Sequence, residues 1–235
     1  MFKYSIMTLI LLSLFGPSLC LGAPIVYWNL DMLGFSANSQ SFLLVESITE
    51  DYTDTVDIAS ARIMIIDLAT NECLHGGCLS VYGTQEEDDT SELPKTEDDQ
   101  LQAVYSKTWR LRKKRKLTPP KIGYTTEGPF FEENDCKTAY YLFQDQPIWV
   151  TLLQNIVSYR HAPKASLQLE VNRENISKTI DSIENYRDNA QGYHLGRLFV
   201  SPNQKNMAIL VHVSYYNPES KSVDVRTLVQ TAKLF

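Results

Sequence analysis

Four histidines and four cysteines are the side chains best equipped for chemistry in this chain, and their spacing offers little of it. His75, His161, His194 and His212 form no His-Glu-x-x-His or comparable metal spacing. No Gly-x-Ser-x-Gly elbow presents a nucleophile, and no glycine-rich phosphate loop is present. His212 interrupts the apolar run Met207–Val213, where a lone histidine is a hydrogen-bonded strand residue sooner than a catalyst. Cys136 stands beside Asp135 with no histidine at a supporting distance in sequence, and reads as a buried thiol. No catalytic residue, no metal ligand and no cofactor is therefore assigned. The rival reading is a small hydrolase or metal-dependent enzyme whose site assembles only in the fold. It would need His194 or His212 to meet carboxylates in a deep pocket.

Cys73-Leu74-His75-Gly76-Gly77-Cys78 is a short segment with two glycines at its apex, suited to local closure by a disulfide. Idle thiols are the plain alternative. A metal site would recruit both thiolates and His75, but a structural zinc site wants four ligands and no second pair lies nearby. Calcium could be drawn to Glu86–Asp99 or Asp51–Asp57, but neither has the carboxylate intervals and sharp glycine bend of an EF-hand loop.

The charged groups are arranged in blocks. Residues 86–99 carry eight acids against the single base Lys95, and the basic run Arg110-Leu111-Arg112-Lys113-Lys114-Arg115-Lys116 follows. Between them Leu101, Val104, Tyr105, Thr108 and Trp109 fall on one face of a helix expected over 97–116. Acids at its start and bases at its end suit the helix dipole. Opposite runs of similar size largely cancel beyond a Debye length of about 8 Å. The second reading of Arg110, Arg112, Lys113, Lys114, Arg115 and Lys116 is a contact with an envelope protein or an anionic surface. A net charge of −6 argues against general nucleic-acid binding.

At the N-terminus Lys3 precedes the apolar run Ile6–Phe15, which Gly16-Pro17 break. That is the pattern of an export signal over 1–22, and the run is too short to span a membrane. Cys20 offers lipid attachment as a minor alternative. The remaining stretch, 23–235, is expected to be one exported domain, periplasmic or secreted, with no further membrane span and with the acidic loop (84–99) and helix inserted. Export permits disulfides.

The elements that must position any site are strands. Ser41–Glu46, Ala61–Leu68, Leu79–Tyr82, Ala139–Phe143, Ile148–Leu153, Leu167–Val171, Met207–Val213 and Ser222–Thr231 are apolar or alternating runs joined by polar turns, which implies antiparallel pairing. In the last, Val223, Val225 and Val229 share one face, and Asp224, Arg226 and Gln230 the other. Ile176, Ile180 and Ile183 suggest a second, weaker helix reaching Arg187. The chain is thus expected to be α+β, mainly antiparallel sheet with one long amphipathic helix.

Two turns share a form. Ser36-Ala37-Asn38 and Ser201-Pro202-Asn203 each follow an apolar approach and precede an apolar strand, and Ser and Asn fold back onto backbone amides in such turns. Gly34-Phe35-Ser36-x-Asn38 with Phe42 and Glu46, then Ile63–Leu68, and later Val200–Asn203 with Met207–Val213, resemble the outline of an uncharacterised bacterial family of predicted secreted proteins, a domain of unknown function. The resemblance implies an exported bacterial protein and carries no activity or catalytic residues. The same turns are similar to blade motifs of TolB-like propellers, but two copies some 165 residues apart do not make a complete propeller. The function expected is non-enzymatic: an envelope or secreted protein that binds a partner through loops at the strand edges.

Overall fold

Strands whose apolar residues point to both sides must be covered on both sides, and that requirement stacks this chain into layers. The computed structural model describes residues 25–51, 58–84, 97–132, 135–157, 163–216, 218 and 223–234. In chain order the elements are β1 (Ile25–Phe35), β2 (Ser41–Asp51), β3 (Ile58–Asp67), β4 (Glu72–Thr84), α1 (Glu97–Lys114), β5 (Tyr124–Thr125), β6 (Glu127–Glu132), β7 (Asp135–Phe143), β8 (Gln146–Val157), β9 (Lys164–Arg173), β10 (Ile176–Ile180), β11 (Arg187–Asp188), β12 (Ala190–Val200), β13 (Asn206–Tyr216) and β14 (Val223–Lys233).

They form three antiparallel sheets. Sheet I has the order β1-β2-β3-β4, sheet II the order β10-β9-β8-β7-β6 with β11 beside β9, and sheet III the order β14-β13-β12-β5. The fold is α+β, mainly antiparallel, with one long helix and neither a closed barrel nor a propeller among the described residues.

Sheet III lies between the other two. Its Met207, Ile209, Val211 and Val213 pack on Tyr141, Val150, Leu167 and Leu169 of sheet II. On the opposite face Ala208, Leu210 and Phe199 meet Phe42, Leu44 and Met64 of sheet I. Burial on both faces is the reason β13 is apolar almost throughout. Leu43, Val45, Ile63 and Ile65 on the outer face of sheet I are covered by α1 through Leu101 and Val104. Two buried tyrosines lace sheets II and III together: Tyr141 donates to the Gly196 carbonyl at 2.7 Å and Tyr193 to that of Ala165 at 2.9 Å.

The helix starts with Glu97, Asp98 and Asp99 and ends with Arg112, Lys113 and Lys114, so the charge order complements its dipole. Glu97 also fastens it, because Ser47, Asn29 (3.2 Å) and Thr49 (3.3 Å) all donate to its carboxylate. Leu101, Val104 and Thr108 are buried as the period requires. Trp109 is not. It is 50% exposed, and Arg112 takes the buried station one turn on. A guanidinium can do so because Thr108 Oγ1 (3.3 Å) and the Tyr105 carbonyl (3.0 Å) accept from it while it lies over the Tyr105 and Trp109 rings.

Two further expectations need correction. The second helix does not form: Ile176–Ile180 is β10, paired antiparallel with β9 through a tight hairpin at Glu174-Asn175. Beyond it Asp181 adopts φ 63° and its carboxylate accepts from the Ser182 amide and from Asn185, which turns the chain before β11. The face assignment in β14 keeps its parity but not its meaning. Val223 and Val225 are each 50% exposed, and of the three valines only Val229 joins the core shared with sheet I. Asp224 and Gln230 are buried.

Candidate binding cleft at the turn end

The two Ser-x-Asn turns are built alike. Ser36 Oγ donates to Asn38 Oδ1 (2.7 Å) and accepts from the amides of Gln40 (3.1 Å) and Ser41 (3.0 Å). Ser201 Oγ donates to Asn203 Oδ1 (2.7 Å) and accepts from the Asn206 amide (3.0 Å), while Asn203 Oδ1 takes the Lys205 amide (3.1 Å). Each turn closes with a backbone bond of 2.8 Å, Ser36 N to the Ser41 carbonyl and Ser201 N to the Asn206 carbonyl. Ser39 and Gln204 hold the same left-handed conformation, φ 53° and 57°.

Sheet packing brings these turns together. Asn206 Nδ2 donates to the Ser39 carbonyl at 2.7 Å, so the second turn grips the first. The β3–β4 turn joins the first of them through the Leu68 amide, which donates to the Gln40 carbonyl at 3.0 Å, and joins β14 through Asn71, whose Oδ1 accepts from the Thr231 amide (2.6 Å) and whose Nδ2 donates to Gln230 Oε1 (2.7 Å). Gln230 Nε2 in turn reaches Asp181 Oδ2 at 3.3 Å. One chain of amide and carboxylate groups thus links all three sheets.

Two clefts open beside this chain. One, of about 680 Å³, is lined by the β3–β4 turn, the end of β10 with Asp181, Arg187, and the end of β14. The other, of about 590 Å³, lies between the paired turns and shares Leu68, Ala69 and Lys233 with the first. Asp181 is 7% exposed and accepts from four donors: Arg187 Nη2 (2.5 Å), Ser182 N (2.7 Å), Asn185 Nδ2 (2.9 Å) and Gln230 Nε2. Burial pushes its carboxyl up, but Arg187, Asn185 and the Ser182 amide together outweigh burial and hold it below the usual range. Lys178 Nζ donates to the Lys233 carbonyl at 2.6 Å. Its pKa is lowered, first by burial and then by the nearby charge of Lys233.

The residues singled out by sequence lie elsewhere. Cys73 and Cys78 are joined by a disulfide with Cα atoms 5.8 Å apart, within β4 rather than in a free loop. It pinches a bulge of four residues, including His75, opposite Ile65. Arg110, Lys113, Lys114 and Lys116 are exposed, Arg115 is half-buried, and Arg112 is buried against its own helix and withdrawn from the exposed run. Residues 1–22 and most of both acidic segments lie outside the described residues, as do the side chain of Cys136 and all of His161. Among the described residues no group of three or more His, Cys, Asp or Glu is placed to hold a metal ion.

His212 and His194 face each other across β13 and β12. His212 is half-buried, and burial lowers its pKa; nearby Glu46 opposes this and His194 adds to it. Glu46 is itself buried and ion-paired with Arg62, which also donates to the Thr227 carbonyl. A side chain at Gly196 would stand 2.8 Å from His212 Nε2, so the glycine makes room for the ring. Neither histidine lines either cleft.

Asn71, Asp181, Arg187 and Gln230 were not singled out by sequence. The Asp-x-x-x-Asn spacing at 181–185 was a readable turn signal, obscured there by three isoleucines at helical intervals. No family model matches the chain, and neither a curated protein nor a solved structure does.

Proposed function

We propose that the chain is an exported, non-enzymatic binding protein whose polar ligand or partner segment seats in the paired clefts at the turn end. The observation that carries this reading is the cross-sheet grip of Asn206 on Ser39 and of Asn71 on Thr231. Asn206 fixes the two Ser-x-Asn turns to each other and Asn71 fixes the β3–β4 turn to β14, which holds a polar recognition surface in place before a ligand arrives. Export is supported by the N-terminal apolar run and is compatible with the Cys73–Cys78 bond. Among the described residues no helix is long and apolar enough to cross a membrane. The exposed Arg110, Lys113, Lys114 and Lys116 are the place for any contact with an envelope protein or anionic surface.

The enzyme reading has one observation behind it, the buried Glu46 beside His212. The histidine faces a packed sheet interface and lines neither cleft, which favours binding over turnover. Amide hydrogen exchange during titration with a panel of polar small molecules and peptides tests the choice. Protection of Asn38–Gln40, Ala69–Asn71 and Asn203–Lys205 is expected on binding. Protection confined to other strands rejects the cleft, and turnover of any probe that is lost in His212→Ala rejects the non-enzymatic reading.

A further inference from the structure

Resting on the reading of the chain as an exported binding protein, we infer that the basic end of α1 docks on a lipid bilayer with anionic headgroups. The chain carries a net charge of −6, yet between Gln100 and Thr126 it holds eight Lys or Arg and no Asp or Glu. Arg110, Lys113, Lys114, Lys116 and Lys121 are exposed, and among the described residues none of these five is in an ion pair. Arg110 faces like charges at i+3 and i+4, Lys113 and Lys114, an arrangement that weakens a helix standing alone. An anionic surface turns that repulsion into attraction. The acids of α1 do not cancel the charge at such a contact. Glu97 and Lys114, at opposite ends of the helix, are about 25 Å apart along its axis, some three Debye lengths.

Charge alone would suit any acidic polymer, and the choice of lipid rests on the apolar side chains set among the cations. The Lys116 carbonyl accepts the Ala37 amide at 3.1 Å, and Lys121 exchanges backbone bonds of 2.6 and 2.7 Å with Phe35. The end of the helix and the segment after it are therefore fastened to one uncharged turn, Ser36–Gln40. Ile122, next to Lys121, is 60% exposed, more than any other large apolar side chain described. Trp109 is 50% exposed, one turn from Lys113 on the same side of α1. An indole at headgroup level, an aliphatic side chain at the acyl boundary and lysines at the phosphates are the parts of an interfacial contact. A soluble acidic chain would use the lysines and leave Ile122 in water.

Co-sedimentation of the full-length chain with phosphatidylcholine vesicles, with and without an equal part of phosphatidylglycerol, tests this. Tighter binding to the anionic vesicles is expected, falling as salt is raised. Lys113→Gln/Lys114→Gln should weaken it about 30-fold, and Ile122→Ser about tenfold. All three positions are exposed, so the core is left intact. Equal binding to both kinds of vesicle, or anionic binding that the double variant leaves unchanged, overturns the inference. So does binding to soluble poly-glutamate that is as tight as to the vesicles and indifferent to Ile122→Ser, which would assign this face to an acidic chain. None of the three positions lines a cleft. Protection of Asn38–Gln40 and Asn203–Lys205 by a polar ligand, with no vesicle binding, would therefore remove the bilayer and leave the clefts standing. Vesicle binding with no cleft protected by any ligand would support the bilayer and remove the clefts.

Discussion

The turn before β2 and the turn before β13 share one hydrogen-bond pattern and stand in different surroundings, and the difference explains the layering. Phe42 follows the first turn and faces sheet III, while Met207 follows the second at the same station and faces sheet II. The alternate residues, Leu43 and Val45 in one strand and Ala208 and Leu210 in the other, face α1 and sheet I respectively. Each sheet therefore turns the same face onward in one stack, and α1 covers sheet I as sheet I covers sheet III. The helix ends the stack where another sheet would otherwise be required, because an exposed apolar sheet face invites association.

The hardest test of that equivalence is truncation at the matched station. Phe42 is fully buried, with the Phe35 ring 4.9 Å away edge-on and the Phe199 ring at 6.2 Å. Phe42→Ala should cost about 3–5 kcal/mol and Met207→Ala about 2–5 kcal/mol in denaturant unfolding. If the layers are one cooperative body, both variants lower the midpoint of a single transition. Two separated transitions in either variant would show the interfaces to be independent and break the comparison.

A smaller effect separates the turns themselves. Ser36 Oγ accepts two backbone amides and Ser201 Oγ one, and both residues are fully buried. Each Ser→Ala change should cost about 1–3 kcal/mol, with Ser36→Ala the larger because its hydroxyl serves two amides, of which Gln40 N keeps only Asn38 Oδ1 at 3.4 Å and Ser41 N is stranded. Equal losses, or a larger loss at Ser201, would mean that the turns owe their shape to the strands and not to the serine.

Much of this was legible because local chemistry coincided with global packing. The strand Met207–Val213, the paired turns and the helix over 97–116 each combine a period with punctuation that sterics enforce. What escaped depended on neighbours distant in sequence. Ile176, Ile180 and Ile183 fit a helix until β9 supplies a hairpin partner, and nothing within that segment declares which wins. Arg112 and Trp109 exchange stations because Tyr105 and Thr108 give the guanidinium a satisfied place, a cost no periodicity measures. The cleft was hidden for the same reason: Asn71, Asp181 and Gln230 are ordinary polar residues in three separate segments until the sheets meet.

The finest contrast lies six residues beyond the matched turn ends, at Ser47 and His212. Ser47 sits on the α1 side of β2 and donates to Glu97. His212 sits on the sheet I side of β13, where the groups facing it include Glu46, paired with Arg62, and His194 across the strand pair. Burial is the first cause of its lowered pKa, so the folded protein releases the imidazole proton more readily than the unfolded chain, in which the value is about 6.5. The unfolded state then binds more protons in the window below about 6.5, and stability rises with pH there. The contribution is complete above about pH 6.5 and is lost as the pH falls from there through the lower folded value. Unfolding free energies at pH 7.5, 6.5 and 5.5 should therefore decline toward acid in the native chain. The decline should flatten in His212→Gln, which keeps a polar side chain beside Glu46. This is the smallest of the three effects, because the ring is only half-buried and Glu46 offsets part of its burial. An identical slope in the variant would assign the acid sensitivity to another group and make the Ser47 and His212 stations alike in consequence as well as in position.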